Sequence, residues 1–96
     1  MINNIDNLKP LFELVSLNLS DNFISKIENL EHNINLETLV ISRNKIGING
    51  LSDVEDLVKI PKLSSLDISN NKIDCENYED FLSILEKMPS LSVLYL

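Results

Sequence analysis

Leu17-Asn18-Leu19-Ser20-Asp21-Asn22 returns as Leu39-Val40-Ile41-Ser42-Arg43-Asn44 and again as Leu66-Asp67-Ile68-Ser69-Asn70-Asn71. All three read L-x-[LI]-S-x-N. A fourth copy opens at Leu94-Tyr95-Leu96. The leading leucines are spaced 22, 27 and 28 residues apart. Self-similarity with a period of about 20–50 residues marks a stacked-coil architecture, in which each unit buries its apolar side against its neighbours.

Working outward from the motif, the first unit is regular to the residue. Apolar side chains fall at Ile2, Ile5, Leu8, Leu11, Leu14, Leu17 and Leu19. The count restarts after Asn22 with Ile24, Ile27, Leu30, Leu36, Leu39 and Ile41, and Asn33 is its one polar exception. Leu17 and Leu19 are two apart, so both side chains of a short strand point the same way, into the coil. The asparagine that follows carries two donors and an acceptor. Buried in a bend, it bonds backbone groups of its own and the adjacent coil. Asn22, Asn44 and Asn71 are therefore expected to stack as a structural ladder.

The two longer units have room for a helix on the side opposite the strands. Ser52-Asp53-Val54-Glu55 has the form of a capping box, with Val54, Leu57 and Val58 on one face and Pro61 past the end. In the next unit Asp74 or Asn77 caps a helix whose apolar stripe is Tyr78, Phe81, Leu82, Leu85 and Met88, followed by Pro89. The 22-residue unit is too short for such a helix and is predicted to run as 3₁₀ or extended turns.

The pattern resembles that of leucine-rich repeats. The predicted fold class is α/β: a leucine-rich-repeat solenoid with a short parallel sheet on its concave face and turns or 3₁₀ segments, then α-helices, on its convex face. Residues 1–96 read as one leucine-rich-repeat domain of about three and a half repeats, expected to belong to a longer array.

Composition fits this reading. Apolar residues make up 44% and aromatics only 5% of the chain, with no Trp, which suits thin aliphatic layers. The net charge of −7 argues against nucleic acid and against anionic membrane surfaces, both of which are bound through clustered cations. No apolar run is long enough to span a bilayer, and Met1-Ile2-Asn3-Asn4-Ile5-Asp6 lacks the basic start and apolar stretch of a secretory signal. Secreted leucine-rich-repeat domains usually carry capping disulfides, which the single Cys75 cannot form, so the expected compartment is reducing and cytoplasmic. Asn18-Leu19-Ser20 matches a glycosylation sequon, which a cytosolic protein does not use.

Catalytic and metal chemistry were sought in the sequence without success. His32 and Cys75 are single and 43 positions apart, too few for a zinc site or a nucleophile–base pair. Gly47 and Gly50 do not make a phosphate loop. Asp67-Ile68-Ser69-Asn70-Asn71 matches a calcium loop for five residues, then places Lys72 where Gly is needed and Tyr78 where the bidentate acid belongs. The expectation is no enzyme, no metal and no cofactor.

Binding is expected instead on the concave sheet face, through the residues between the inward leucines: Asn18, Thr38, Val40, Arg43, Ser65, Asp67, Val93 and Tyr95. Ser16, Ser20, Asp21, Ser42, Ser69 and Asn70 share that face. Most are small and polar, as a solvated face requires. Val40 and Tyr95 stand out as candidate anchors. Apolar side chains at both ends of the array, Ile2, Ile5 and Leu8 at one and Leu91, Leu94 and Leu96 at the other, point to further repeats or to end-to-end self-association.

Asn22-Phe23-Ile24-Ser25-Lys26-Ile27-Glu28-Asn29-Leu30, with the strand motifs, resembles the cytoplasmic class of 22-residue repeats whose founding member regulates protein phosphatase 1. Leu82-Ser83-Ile84-Leu85-Glu86-Lys87-Met88-Pro89-Ser90-Leu91-Ser92-Val93-Leu94-Tyr95-Leu96 is similar to the final repeats of the leucine-rich-repeat dynein axonemal assembly factor. That resemblance implies an adaptor in the cytoplasmic preassembly of axonemal dynein arms, cilium-associated, with dynein assembly components as partners. The broader one implies a regulatory subunit for the catalytic subunit of protein phosphatase 1. A structural spacer is the non-binding alternative.

Overall fold

The computed structural model of the chain describes residues 1–96 apart from Cys75 and Asn77, so the single cysteine and the reading of Asn77 as a helix cap lie outside the described residues. Each motif builds a three-residue strand: β1 (Ser16–Asn18), β2 (Thr38–Val40), β3 (Ser65–Asp67) and β4 (Val93–Tyr95). They form one parallel sheet in chain order, with Leu17, Leu39, Leu66 and Leu94 in register. Parallel neighbours need a crossover between them, and here each crossover is one coil of the solenoid. The ladder runs on past the strands: Leu19 N–H donates to Val40 O at 2.7 Å, Ile41 N–H to Asp67 O at 2.8 Å and Ile68 N–H to Tyr95 O at 2.9 Å.

The core is aliphatic, with Phe81 its one fully buried aromatic among the described residues. In the second coil Ile24, Ile27, Leu30, Leu36, Leu39 and Ile41 are all buried, and so is the polar exception Asn33. Its amide nitrogen donates to Leu8 O and Leu11 O of the first coil, at 2.9 and 3.1 Å. Both carbonyls also accept a backbone N–H within the first coil, so Asn33 adds a second donor to each and ties the two coils together. The first coil has a neighbour on one side only, and Ile2 and Leu11 are exposed while Leu8, Leu14 and Leu17 are half-buried. Ile5 departs from the expected open end: it is buried in the shared core, and its carbonyl accepts from the Asn29 side chain at 2.7 Å.

The convex side changes along the array. The first two coils turn by hydrogen bonds three residues apart, such as Leu11 N–H to Leu8 O and Leu36 N–H to Asn33 O. The third coil uses two 3₁₀ segments, Leu51–Asp53 and Glu55–Lys59. The fourth has α1 (Tyr78–Leu85), the one α-helix among the described residues. The capping box expected at Ser52 and Glu55 does not form: Gly50 precedes the first segment, and no side chain caps it. Burial there follows a three-residue period, Val54, Leu57, Ile60 and Leu63, which is the period of a 3₁₀ segment. Val58, expected inside on an α-helical count, is therefore exposed. On α1 the buried stripe is narrower than expected: Phe81 and Leu85 are inside, with Met88 beyond the helix, whereas Tyr78 and Leu82 are exposed.

Asp53 holds the bend that replaces the capping box. It is 2% exposed, and one carboxylate oxygen accepts from the backbone N–H of Gly47 at 2.9 Å and of Asn49 at 3.0 Å. Gly47 has a φ of 101°, and a Cβ there would lie 2.7 Å from the backbone of Lys72 and Ile73 in the next coil. The close approach of two coils at this point requires glycine.

Candidate functional site

The register sets out the outward face strand by strand. Asn18, Val40, Asp67 and Tyr95 form one row across the sheet, and Ser16, Thr38, Ser65 and Val93 form the row beside it. Asn18, Val93 and Tyr95 are exposed, while Thr38, Val40, Ser65 and Asp67 are half-buried. Ser42, expected on the same face, is 3% exposed and belongs to the turn rather than to the surface. Arg43 lies beyond the rows, at the bend, exposed.

Directly below the bend the three ladder asparagines stack. Asn44 Oδ1 accepts the Ile24 N–H of the preceding coil's end at 3.0 Å, and its Nδ2 donates to Leu19 O, Ile41 O and Ser42 O at 3.0, 3.2 and 3.1 Å. Asn71 repeats the arrangement one coil on, accepting from Ile46 N–H at 2.9 Å and donating to Ile41 O, Ile68 O and Ser69 O. Asn22 accepts from Ile2 N–H and donates to Leu19 O and Ser20 O. Each side chain ties its own turn to the one before, which fixes the spacing and orientation of the sheet face above it.

The residue before each ladder asparagine is left-handed: Asp21 at φ 60°, Arg43 at φ 55° and Asn70 at φ 56°. Asp and Asn tolerate this region because their short side chains bond locally, and Arg is the outlier. Arg43 reaches back to the preceding coil, donating from Nε and Nη2 to the two carboxylate oxygens of Asp21, the latter at 2.8 Å. Those hydrogen bonds hold the Asp21 carboxyl below its ordinary value, and raise Arg43, which Asp67 raises further to a lesser degree. The pair was not recognised in the sequence. Its signal is there: opposite charges at the same motif position, 22 residues apart.

Two smaller devices also went unseen. Asn18 Oδ1 accepts from Ser20 N–H at 3.0 Å and Ser20 Oγ at 2.7 Å. Asp67 Oδ1 makes the same two contacts with Ser69, at 3.1 and 2.7 Å. The serine of the motif thus locks the side chain two residues before it wherever that side chain is Asn or Asp.

Among the described residues the geometry gathers no catalytic groups. Among the described residues no group of three or more His, Cys, Asp or Glu side chains stands close enough to hold a metal ion. His32 is exposed and stands 3.9 Å from Glu31. Among the described residues no helix is long and apolar enough to cross a membrane. A shallow depression of about 300 Å³ is lined by Pro10, Leu11, Phe12, Glu13 and Leu14, with one ionisable group and no partner for it.

Comparison with known proteins agrees with the architecture. One family model, described as Leucine Rich repeat, matches residues 32–54, and a second, Leucine Rich Repeat, matches residues 62–86. No curated protein sequence matches the chain. Among solved structures, a chain in the crystal structure of the Drosophila melanogaster SNF/U2A′ complex is similar, with 30% identity over 97% of this chain and a TM-score of 0.58. The present chain spans 66% of that chain's length.

Proposed function

Since this chain is a leucine-rich-repeat protein, we propose that it is a non-enzymatic interaction module that holds another protein on its concave sheet face. The observation that carries the reading is the row Asn18, Val40, Asp67 and Tyr95. It sets two apolar side chains among small polar ones, on a sheet whose spacing the asparagine ladder fixes. Tyr95 is 57% exposed, and an exposed aromatic with a polar tip on a rigid support is the usual anatomy of a binding anchor. Repeat solenoids in general use such surfaces for protein partners, and the similar solved chain also sits in a complex.

Within that class we assign the chain to cytoplasmic preassembly of axonemal dynein arms, as an adaptor. The support is the likeness of residues 82–96 to the final repeats of the dynein assembly factor. Capture from a ciliated-cell lysate tests both levels. Dynein chains with chaperones are expected on the wild-type chain, reduced by Tyr95→Ser and by Val40→Asp, and unchanged by Glu79→Lys on α1. Recovery of a protein phosphatase 1 catalytic subunit in their place would replace the dynein assignment with the phosphatase one. Binding abolished by Glu79→Lys alone would move the interface to the convex side.

A further inference from the structure

We infer that Asp67 and Tyr95 together form a receptor for a cationic side chain, and that the partner presents an arginine there beside an apolar residue seated on Val40. This rests on the concave-face reading and names the chemistry that the face selects.

The argument starts from a charge the fold does not use. Asp67 Oδ1 accepts from Ser69 N–H and Ser69 Oγ. At the same motif position in the first coil, the neutral Asn18 makes the same pair of contacts with Ser20 through its amide oxygen. In the second coil the position is Val40, with no lock at all. The turn therefore needs one acceptor oxygen at most, and it does not need a carboxylate. The second oxygen of Asp67 takes no hydrogen bond from the described residues. Arg43, on which Asp67 acts only as a lesser charge, has its Nε and Nη2 committed to Asp21. A half-buried carboxylate with one free oxygen is an unmet demand for positive charge.

The neighbours in the row set what can meet it. Asp67 is paired in register with Tyr95 on one side and Val40 on the other. Adjacent strands lie about 4.8 Å apart, so the three side chains stand shoulder to shoulder. A guanidinium can donate to the free oxygen while stacking on the Tyr95 ring, which an ammonium does less well. Val40 gives an apolar neighbour one strand away, matched by a partner residue three or four positions along a helix, where side chains are about 5–6 Å apart. The chain's net charge of −7 favours a basic partner over distance as well.

The test is selection of a displayed library of random 16-residue peptides on the immobilised full chain, followed by titration of the synthetic winners. The expected winners carry Arg with an apolar residue three or four positions away. They should bind Asp67→Asn about tenfold more weakly, as for loss of a charge-assisted hydrogen bond at a partly exposed site. Asp67→Asn keeps the Ser69 lock, since Asn18 already works that way, so folding is spared. An Arg→Glu peptide should regain affinity on Asp67→Arg. Winners that lose binding on Tyr95→Ser and Val40→Asp, but contain no basic residue or bind Asp67→Asn unchanged, overturn the receptor and leave the concave face standing. Winners indifferent to all three changes overturn both. A selection without winners also counts against the receptor, because a pair of side chains this local should act on short peptides.

Discussion

Replacing Asn44 by Ala is expected to destabilise the chain by roughly 1–3 kcal/mol, the cost of one buried donor left without a partner. The structure shows why the figure stops there although four hydrogen bonds vanish. Leu19 O keeps the Asn22 amide, Ile41 O keeps the Asn71 amide and Ser42 O keeps the Asp21 N–H. Only the Ile24 N–H loses its sole partner, and Ile24 is fully buried, so water cannot replace it. The neighbours should follow a gradient. Asn71→Ala orphans the Ile46 N–H in the same way, whereas Asn22→Ala frees the Ile2 N–H, which is exposed and can turn to solvent. Asn49→Ala removes an exposed side chain with no hydrogen bond and should stay within about 0.5 kcal/mol. Chemical denaturation with a common m-value ranks the four variants. Equal losses at positions 44 and 49, or a loss at 22 as large as at 44, would refute the assignment of orphaned donors.

Two further outcomes follow from the bends. Gly47→Ala should destabilise clearly more than Gly50→Ala, because both sit at positive φ but only the first meets backbone, at 2.7 Å; similar melting temperatures would show that the two coils can move apart at that point. Asp21→Asn should lower the melting temperature slightly at neutral pH, the pair being exposed. Because Arg43 lowers the Asp21 pKa, the stabilisation is present above the ordinary value of 3.8 and lost as pH falls through the lowered one, so the gap between the two proteins should close in acid. A gap that stayed constant with pH would remove the ion pair as its cause.

The strands and the ladder were legible because both depend on local spacing. Leu17 and Leu19 can share a face only as a strand, and an asparagine three residues on is the one small side chain able to donate twice and accept once at a bend. The third coil was not legible, because Ser52 and Glu55 satisfy the capping pattern equally well in a helix that never forms. What decides against it is non-local: Gly47 must pass against the Lys72–Ile73 backbone, and Asp53 is drawn inward to the two N–H groups of that bend. A one-dimensional pattern holds neither contact. Asn33 shows the same limit from the other side, since its fitness for an apolar position rests on two carbonyls 22 and 25 residues away.

The surface divides along the same line. In every motif the inward leucines and the bend asparagine have their identities set by burial and by backbone groups that need partners. The intervening position has no such duty, which is why it can be Asn18, Val40, Asp67 and Tyr95 in successive coils without disturbing the register. Freedom of this kind makes the face informative about a partner and uninformative about the fold. It also explains why Asp21 and Arg43 escaped notice. Each is an ordinary surface charge in its own coil, and they become a pair only when the stack brings equivalent positions together. Charges read down the columns of the stack, rather than along the chain, separate Arg43, which is paired with Asp21, from Asp67, whose second carboxylate oxygen takes no hydrogen bond from the described residues. That difference is the basis for expecting the partner to supply the missing cation.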